Sequence, residues 1–306
     1  MADPGSSSPE VVEFSPAGSG LRGKPANLVR NRLLAAGAAA AVAAIAIVAT
    51  FAWIKPDAAS PAGAAAATRV SPAMARLIAQ VTGVPVRTSD AAGDGGGQVT
   101  ARPIPVYGPP LAVNGKPEIF YDGTEYCPYC ATQSWAMIVA LSRFGTFTGL
   151  RAIRSGDYQP YPYLAAWAFY GSAYASKYLS FVPVETRSDV LISRTASPQS
   201  LNSYTELQKL TAAQRAILGR YDKARGVPFL DFGNKYVLVG SSFLPMALAQ
   251  QTWSQIAATL RNGRNMTGQA ILGTANYITA AICRLTGDQP ARACTPTVRS
   301  LLGPGT

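Results

Sequence analysis

The sequence predicts an α/β domain that follows one N-terminal transmembrane helix, and three observations support this prediction. Residues 33–54 are predominantly apolar and carry no charge. An apolar segment at 118–121, typical of a buried strand, leads into an apolar helical segment at 128–144. A second strand pattern at 178–185 and a hairpin pattern at 227–239 come later in the chain. Strands that alternate with helices in this way are typical of the α/β class.

Composition and charge narrow the classes of function. The chain has 306 residues, of which 48% are hydrophobic, so it is long enough to bury a substantial core. Its 27 Lys and Arg against 16 Asp and Glu give a formal net charge of +11. The basic residues are scattered rather than gathered in one run, and we therefore expect no nucleic-acid partner. The absence of histidine excludes Ser-His and Cys-His catalysis and metal sites with histidine ligands.

The apolar segment at 33–54 is the predicted membrane anchor, since a helix of this length spans a hydrocarbon core of about 30 Å. Lys55 is the basic residue that follows it closely, whereas four basic residues precede it: Arg22, Lys24, Arg30 and Arg32. This bias places the N-terminus in the cytoplasm and the main domain outside the cell membrane. A cleaved signal peptide is the alternative, although its apolar core is usually shorter. Both alternatives export the main domain, and the anchor adds membrane lipid as a partner.

Composition shifts divide the chain into five predicted regions. They are a disordered cytoplasmic tail at 1–32, the transmembrane helix at 33–54, a linker with a short helix at 55–110, the main domain at 111–263 and a C-terminal helical extension at 264–306. The short helix begins with Ser71 as N-cap and Pro72 at the first helical position. Within the main domain, a helical insertion is expected at about 188–225.

The first elements of the main domain are predicted from turn and cap signals. Asn114-Gly115 is a tight-turn signal that precedes the strand at 118–121. A turn through Asp122-Gly123 then leads to the helix at 128–144, where Pro128 occupies the first helical position. This helix is apolar over most of its surface, so we expect it to be buried between layers.

The later elements complete the layout. Capping-box spacings at 203–206 and 211–214 predict two helices, and Gly233-Asn234 predicts the turn of a hairpin. Apolar residues at helical spacing predict a final amphipathic helix from Pro245 to Gly263. The order of strand, helix, strand, helical insertion, hairpin and helix is that of a thioredoxin-like fold with an insertion.

Cys127-Pro128-Tyr129-Cys130 carries the predicted chemistry. Thiol–disulfide exchange requires a thiolate nucleophile and a second thiol that resolves the mixed disulfide. A cysteine at a helix N-terminus has a lowered pKa, because unsatisfied N–H groups and the helix dipole favour negative charge there. We expect Cys127 to be the attacking, more exposed thiol and Cys130 the buried resolving thiol. A static disulfide and a Cys₄ zinc site are the alternatives, and we predict neither a metal nor a cofactor.

Two further groups are candidates for the same site. Val227-Pro228 opens the predicted hairpin, and a cis bond there would present the Val227 backbone to an extended substrate. A trans proline at the first residue of a strand is the alternative. Glu125 and Asp122 precede the dithiol and are candidate proton relays, although solvated turn carboxylates would have the same spacing.

Tyr126 and Tyr129 flank the attacking thiol, and we expect them to form an apolar rim for unfolded or extended substrates. Cys283 and Cys294, which follow a helical run at 274–282, are expected to form a structural disulfide in an exported protein. A second redox pair that exchanges electrons with Cys127 is the alternative.

Several of these segments together resemble a known family. The segments are GKPEIFYDGTEYCPYC, WAMIVALSRFGTF, FYGSAYASKYLSFVPVE, GVPFLDFGNKYVLVG and NYITAAICRLTGDQPARAC. They resemble uncharacterised membrane-anchored proteins of bacteria and archaea, the domain of unknown function DUF929, over about residues 70–295. The resemblance implies a thioredoxin-like fold and a membrane anchor, and it brings no proven substrate. The CPYC tetrad is also similar to that of glutaredoxins, but the flanking residues and the insertion differ, and the dipeptide lacks the histidine of DsbA-type oxidases.

The resulting functional prediction is a membrane-tethered thiol–disulfide oxidoreductase. Its substrates are expected to be thiols or disulfides of exported proteins, with a redox partner that the sequence does not identify. The alternative is a non-catalytic thioredoxin-like adaptor of the cell envelope, in which the CPYC cysteines form a structural disulfide. The direction of electron flow depends on the reduction potential of the dithiol.

Overall fold

The structure is a computed structural model, and it describes residues 70–193 and 195–303. The tail predicted at 1–32 and the transmembrane helix predicted at 33–54 lie outside these residues. Within the part of the chain that the structure describes, no helix combines the length and the apolar character needed to cross a membrane.

The described residues form a mixed α/β structure. Its helices are α1 (Pro72–Thr82), α2 (Val86–Ala92), α3 (Pro128–Leu141), α4 (Ala212–Tyr221), α5 (Trp253–Thr259), α6 (Met266–Thr286) and α7 (Pro296–Ser300). Its strands are β1 (Ile104–Pro105), β2 (Ala112–Val113), β3 (Lys116–Gly123), β4 (Gly145–Thr148), β5 (Arg151–Arg154), β6 (Ala165–Ala168), β7 (Ala173–Ser176), β8 (Ser180–Glu185), β9 (Arg187–Leu191), β10 (Tyr204–Glu206), β11 (Phe229–Phe232) and β12 (Tyr236–Val239).

A six-stranded mixed sheet lies at the centre. Its order is β1-β12-β11-β3-β2, and β8 pairs with β3. β3 and β8 run parallel, as a crossover through a helix requires, whereas β11 pairs antiparallel with both β3 and β12. β3 is therefore flanked by β8 and β11, and its C-terminal end reaches the functional site.

The sheet is buried on both faces. Ile119 and Tyr121 of β3 belong to the larger core, which also contains α3 and α6, whereas Phe120 belongs to a smaller core with Leu218 of α4. This division follows from the alternation of side chains along a strand. It explains why β3 is apolar at consecutive positions instead of at every second one.

α3 begins at Pro128, as predicted, and ends earlier than predicted, at Leu141. Most of its residues are apolar, and all of them except Tyr129 are buried. Trp135 fixes it to β6, because its indole Nε1–H donates to the Ala165 carbonyl over 2.8 Å and its ring contacts Trp167 edge-on. Both anchors hold the helix in place below the dithiol.

Several predicted elements are confirmed. α1 begins at Pro72, and the Ser71 hydroxyl accepts from the Met74 N–H. Asn114 and Gly115 form the turn between β2 and β3, both with positive φ. β8 matches the strand predicted at 178–185, and β11 and β12 form the predicted hairpin. The capping box at Thr211 and Gln214 is present at the start of α4.

Other elements differ from the predictions. α2 is an additional helix in the region predicted as a linker, and α1 and α2 pack into the larger core through residues such as Leu77, Val81 and Ala92. The strands β4–β7 occupy residues that carried no strand prediction. Each is only four residues long, too short for a clear alternating pattern.

Two predicted helices are wrong in part. Tyr204–Glu206, predicted to begin a helix, is the strand β10, because Tyr204 pairs with Leu191 of β9. The amphipathic helix predicted from Pro245 to Gly263 is divided into a 3-10 turn at Pro245–Leu248 and the helix α5. Gln250 has a positive φ and Thr252 caps α5 with Gln255, so a new helix begins there instead of a continuation.

Candidate functional site

The dithiol lies at the junction of β3 and α3. Cys127 is the N-cap of α3, with extended backbone angles of φ −74° and ψ 125°. Its sulfur accepts a hydrogen bond from the Cys130 N–H over 3.4 Å, and Pro128 occupies the first helical turn. The sequence folds in this way because proline lacks the N–H that a first helical turn leaves unpaired, and its φ suits a helix start.

The two thiols have opposite pKa shifts. A hydrogen bond with the Cys130 side chain is the largest effect on the pKa of Cys127, and it lowers that pKa. Burial raises the pKa, but hydrogen bonds from the backbone N–H groups of Cys130 and Tyr129 lower it further, so that the net shift is downward. Burial raises the pKa of Cys130 well above its ordinary value, and its interaction with Cys127 adds to this. Cys127 is therefore the better thiolate. Both side chains are buried, at 6% exposed for Cys127 and 3% for Cys130, so the expected difference in exposure is small.

Val227-Pro228 lies beside the attacking thiol. The Val227–Pro228 peptide bond is cis, as predicted. The Cys127 thiol donates toward the Val227 carbonyl oxygen, at a sulfur–oxygen distance of 3.8 Å. The pairing of Phe229 with Asp122 brings these residues together, because the start of β11 lies opposite the end of β3.

Tyr121 is part of the site and was missed by the sequence analysis. Its side chain is 1% exposed, and burial, followed by the charge of Cys130, raises the pKa of its hydroxyl. The hydroxyl lies over Gly123, where any Cβ would collide with it. A buried tyrosine in an apolar strand is indistinguishable from a core residue by pattern, and the neighbouring glycine was the available signal.

The two predicted carboxylates lie in different surroundings. Glu125 is buried, and its Oε1 forms an ion pair with Arg151 Nη2 at 2.5 Å. Burial raises the pKa of Glu125, and Arg151 opposes that shift. Asp122 lies on the opposite face of the sheet from Tyr121, and burial, followed by the charge of Asp222, raises its pKa to about 7. Among the described residues, no carboxylate forms a hydrogen bond with either thiol.

A third carboxylate, Glu185, lies at the end of β8 and carried no prediction from the sequence. It pairs with Gly123 across β3 and β8, so it lies on the same face as Tyr121. Its Oε2 accepts from the N–H groups of Phe169, over 2.9 Å, and Tyr170, over 2.6 Å. Burial is the largest effect and raises its pKa to about 8, so Glu185 is largely protonated at neutral pH.

The two tyrosines that flank the attacking thiol differ in their exposure to solvent. Tyr126 is buried and stacks on Tyr204 of β10 with ring centroids 4.1 Å apart. Tyr129 is 40% exposed. The described part of the insertion therefore forms one wall of the site, and Tyr129 is available to an incoming partner.

Comparison with family models matches residues 103–284 to the domain of unknown function DUF929. The match spans more than half of the chain and includes the dithiol, Tyr121, Glu185 and Val227-Pro228. The chain belongs to the DUF929 family. Comparison with curated proteins and comparison with solved structures find no match.

In this DUF929 protein, Cys283 and Cys294 form a disulfide, as predicted. Arg143, just past the end of α3, contacts Asn276 and Thr279 of α6, about one turn before Cys283. α3 begins at the dithiol, so the disulfide lies near the opposite end of that helix. At about 1.5 Å per residue, the 14 residues of α3 span about 20 Å, so a long helix lies between Cys127 and the point of contact with α6.

Proposed function

We propose that this DUF929 protein is a membrane-tethered thiol–disulfide oxidoreductase that acts on exported proteins through the Cys127–Cys130 dithiol. The observation that carries the proposal is the unequal thiol pair at the start of α3. Cys127 has a lowered pKa, and Cys130, with a raised pKa, lies within one helical turn of it. Such a pair supplies a thiolate nucleophile and a second thiol that remains protonated until it resolves the mixed disulfide.

We further propose that the scaffold is thioredoxin-like. The strand order β8-β3-β11-β12 supports this, with β3 and β8 parallel and β11 antiparallel between β3 and β12. The position of the dithiol between β3 and α3 supports it as well, as does Val227-Pro228 at the start of β11. The membrane anchor is proposed from the apolar segment at 33–54 and the basic residues before it.

The proposed reaction proceeds in two exchanges. The Cys127 thiolate attacks a disulfide of the substrate protein, so that one substrate sulfur bonds to Cys127 and the other leaves as a thiolate. Cys130 then attacks the Cys127 sulfur, and the second substrate sulfur leaves. The substrate disulfide is reduced to two thiols while the dithiol is oxidised to a disulfide. The reverse sequence oxidises a substrate dithiol.

Val227 supports substrate binding in this scheme. Its carbonyl oxygen lies 3.8 Å from the Cys127 sulfur, so an extended substrate that pairs with the Val227 backbone would bring its own cysteine to the nucleophile. Exposed Tyr129 offers an apolar contact beside the same thiol.

A Cys130→Ser variant tests the proposal, because without the resolving thiol the mixed disulfides cannot be released. In cells treated to block free thiols, we expect this variant to accumulate reductant-sensitive adducts with exported proteins, in the membrane fraction. A Cys127→Ser/Cys130→Ser variant is the matched control and should form none. Absence of adducts from Cys130→Ser would refute the proposal and favour the adaptor. Equilibration of the wild-type dithiol with glutathione buffers would then give its potential and the direction of exchange.

A further inference from the structure

Four arginines that are far apart in the sequence come together on one side of the fold. Arg76 of α1 and Arg261, just past the end of α5, line the same groove, which has a volume of about 270 Å³. The loop from Arg261 to Arg264 packs against the backbone of α2 through Gly263, close to Arg87. All four side chains belong to exposed residues. We call this surface the basic face and define it by Arg76, Arg87, Arg261 and Arg264.

The basic face has no acidic counterpart nearby. The sequence contains no Asp or Glu at 70–89 or at 232–287, and these two ranges hold all four arginines and both walls of the groove. Within the part of the chain that the structure describes, none of the four arginines forms an ion pair. Asp90, the next acidic residue along the chain, accepts a hydrogen bond from the Thr295 hydroxyl over 2.8 Å. The described residues therefore leave the charge of the basic face unneutralised.

The groove between α1 and α5 combines this charge with apolar walls. Ala73 and Leu77 of α1 line one side of it, and Ala258 of α5 lines the other. A second groove of about 200 Å³ adjoins the first and is lined in part by Met74 and Trp253. Cationic side chains beside an apolar surface, with a tryptophan at the border, are typical of surfaces that lie against a membrane.

The place of α1 in the chain favours a lipid surface over other anionic partners. The proposed membrane anchor ends at residue 54, and the first described residue is Val70, so the residues 55–69 separate the two. Because an extended chain gains at most about 3.6 Å per residue, this segment spans at most about 50 Å. With the proposed anchor in the membrane, α1 stays within reach of the lipid headgroups.

We propose that the basic face binds the headgroups of anionic phospholipids in the membrane that holds the anchor, with a lipid phosphate between Arg76 and Arg261. This inference rests on the membrane anchoring that is part of the proposed function, and it adds a second attachment made by the folded domain itself. Guanidinium groups bind phosphate through paired N–H donors. Each basic residue near an anionic membrane surface strengthens binding by about fivefold.

A lipid contact at the basic face leaves the dithiol accessible. Asn276 accepts from Arg143, just past the end of α3, and donates to the Ser89 carbonyl of α2. Arg87, two residues before Ser89, therefore lies near that end of α3, whereas Cys127 lies at the other end. Since α3 spans about 20 Å, the dithiol is at the end of the helix away from the bilayer, where exported proteins can reach it.

Photo-crosslinking to lipids tests the contact in the full-length protein. The protein is reconstituted into nanodiscs of phosphatidylcholine that contain a trace of a lipid with a photoactivatable group near its glycerol backbone. That lipid is phosphatidylglycerol in one sample and phosphatidylcholine in the other, and mass spectrometry quantifies the labelled peptides. We expect phosphatidylglycerol to label the peptides at 70–82 and 253–266 at least about fivefold more than phosphatidylcholine. The difference should disappear at about 1 M salt, where the Debye length falls to about 3 Å.

Two double variants separate the groove from net charge. Arg76→Gln/Arg261→Gln removes both cations of the groove and should bring labelling by phosphatidylglycerol to within about twofold of labelling by phosphatidylcholine. Arg220→Gln/Lys223→Gln is the matched control, because it removes the same charge from exposed positions in and just after α4. Leu218 of α4 packs on the other face of the sheet from α1 and α5. The control should keep wild-type labelling.

Equal labelling of the two peptides by both lipids would overturn the inference, and so would labelling that persists in Arg76→Gln/Arg261→Gln. An equal loss in the control variant would overturn it too, because net charge alone would then attract the lipid. A wild-type protein that does not co-purify with phosphatidylcholine nanodiscs would instead refute the proposed anchor. Flotation of the same three proteins with phosphatidylglycerol vesicles would then decide the lipid contact on its own.

Discussion

Glu185 is buried at the end of β8, and its carboxylate accepts hydrogen bonds from two backbone amides. These bonds do not offset the loss of hydration, so its pKa rises from 4.5 to about 8. Tyr121 and Cys130, on the same side of the sheet, are also shifted upward by burial. Cys127 alone of these neighbours has a lowered pKa, because it accepts hydrogen bonds at the start of α3. The contrast between the two thiols thus comes from local hydrogen bonding within a shared buried site.

Glu185→Gln should change how stability depends on pH. Between the unfolded pKa of 4.5 and the folded pKa of about 8, the unfolded chain loses a proton that the folded protein keeps. The stability of the wild type therefore falls as pH rises through this window, by at most about 1.4 kcal/mol per pH unit. Glutamine removes this contribution and can still accept from the Phe169 and Tyr170 amides.

Urea denaturation at two pH values within that window would measure the difference. We expect the variant to gain stability relative to the wild type at the higher pH. Glu206→Gln is the control, since Glu206 is exposed and paired with Arg187 and Lys209, and its pKa is lowered. Its effect should be the same at both pH values. If the stability difference between Glu185→Gln and the wild type were also the same at both pH values, burial would not raise the pKa of Glu185.

Local signals at the residue scale were sufficient for part of the site. The cap position of Cys127 follows from a short sequence pattern, whereas the cis bond before Pro228 was favoured only in combination with the predicted fold. Tyr121 could not be distinguished in advance from an ordinary core residue, because the place of its hydroxyl depends on strand alternation and on the space above Gly123. The roles of Glu125 and Asp122 as proton relays remain predictions, and neither carboxylate is hydrogen-bonded to the dithiol.

α3 connects the functional site to the rest of the fold. It begins at the dithiol, and the chain just past its end is anchored by Arg143, a buried guanidinium. Arg143 Nη1 donates to Thr279 over 2.8 Å, and both Nη atoms donate to the Asn276 Oδ1 over 3.1 and 3.2 Å. Asn276 also donates to the Ser89 and Gly93 carbonyls of the α2 region. One asparagine therefore joins α3, α6 and α2.

Asn276→Ala should destabilise the protein by about 3 kcal/mol, because it removes the acceptor that both Nη atoms of the buried guanidinium share and the donor of two carbonyls, and leaves Arg143 only its bond to Thr279. Asn202→Ala is the matched control at an exposed position and should cost less than about 0.5 kcal/mol. Urea unfolding followed by tryptophan fluorescence would measure both. A loss below about 1 kcal/mol for Asn276→Ala would show that water replaces the asparagine without cost.

Elements were predictable where their pattern was long or their turn chemistry distinctive. α3, β3, β8 and the β11–β12 hairpin have continuous apolar runs or strong turn signals. β4–β7 were not, since four-residue strands carry little periodicity. β10 has a helix-cap spacing, and its pairing with β9 overrides that local preference. Tertiary pairing thus decided the elements that local signals missed.

In the described part of the molecule, the Cys127–Cys130 dithiol and the Cys283–Cys294 disulfide occupy separate places in the fold. The dithiol is at one end of α3, and the Cys283–Cys294 disulfide joins the last turns of α6, beyond the contact of Arg143 with Thr279, to the chain that follows the helix. The mixed sheet and its helices agree with the fold class predicted from the sequence at the coarse level of an α/β protein. The membrane anchor lies outside the described residues and remains a proposal. A disulfide distant from the dithiol is expected to affect stability without affecting exchange.

Cys283→Ala/Cys294→Ala provides that test. The disulfide closes a loop with a sequence separation of 11, so its loss should lower stability by about 3 kcal/mol through the entropy of the unfolded chain. In a reaction of the reduced protein with dithiobis-nitrobenzoate, Cys127 releases the first nitrobenzoate thiolate and Cys130 the second, and both releases should keep their wild-type rates. A Cys127→Ser/Cys130→Ser variant with and without reductant is the control, since there the reductant acts on the Cys283–Cys294 bond alone. It should lose a similar stability on reduction. If instead the double alanine variant left stability unchanged but shifted the dithiol toward its oxidised or reduced form in cells, the pair would be exchanging electrons with Cys127, and a conformational change would have to bring the two pairs together.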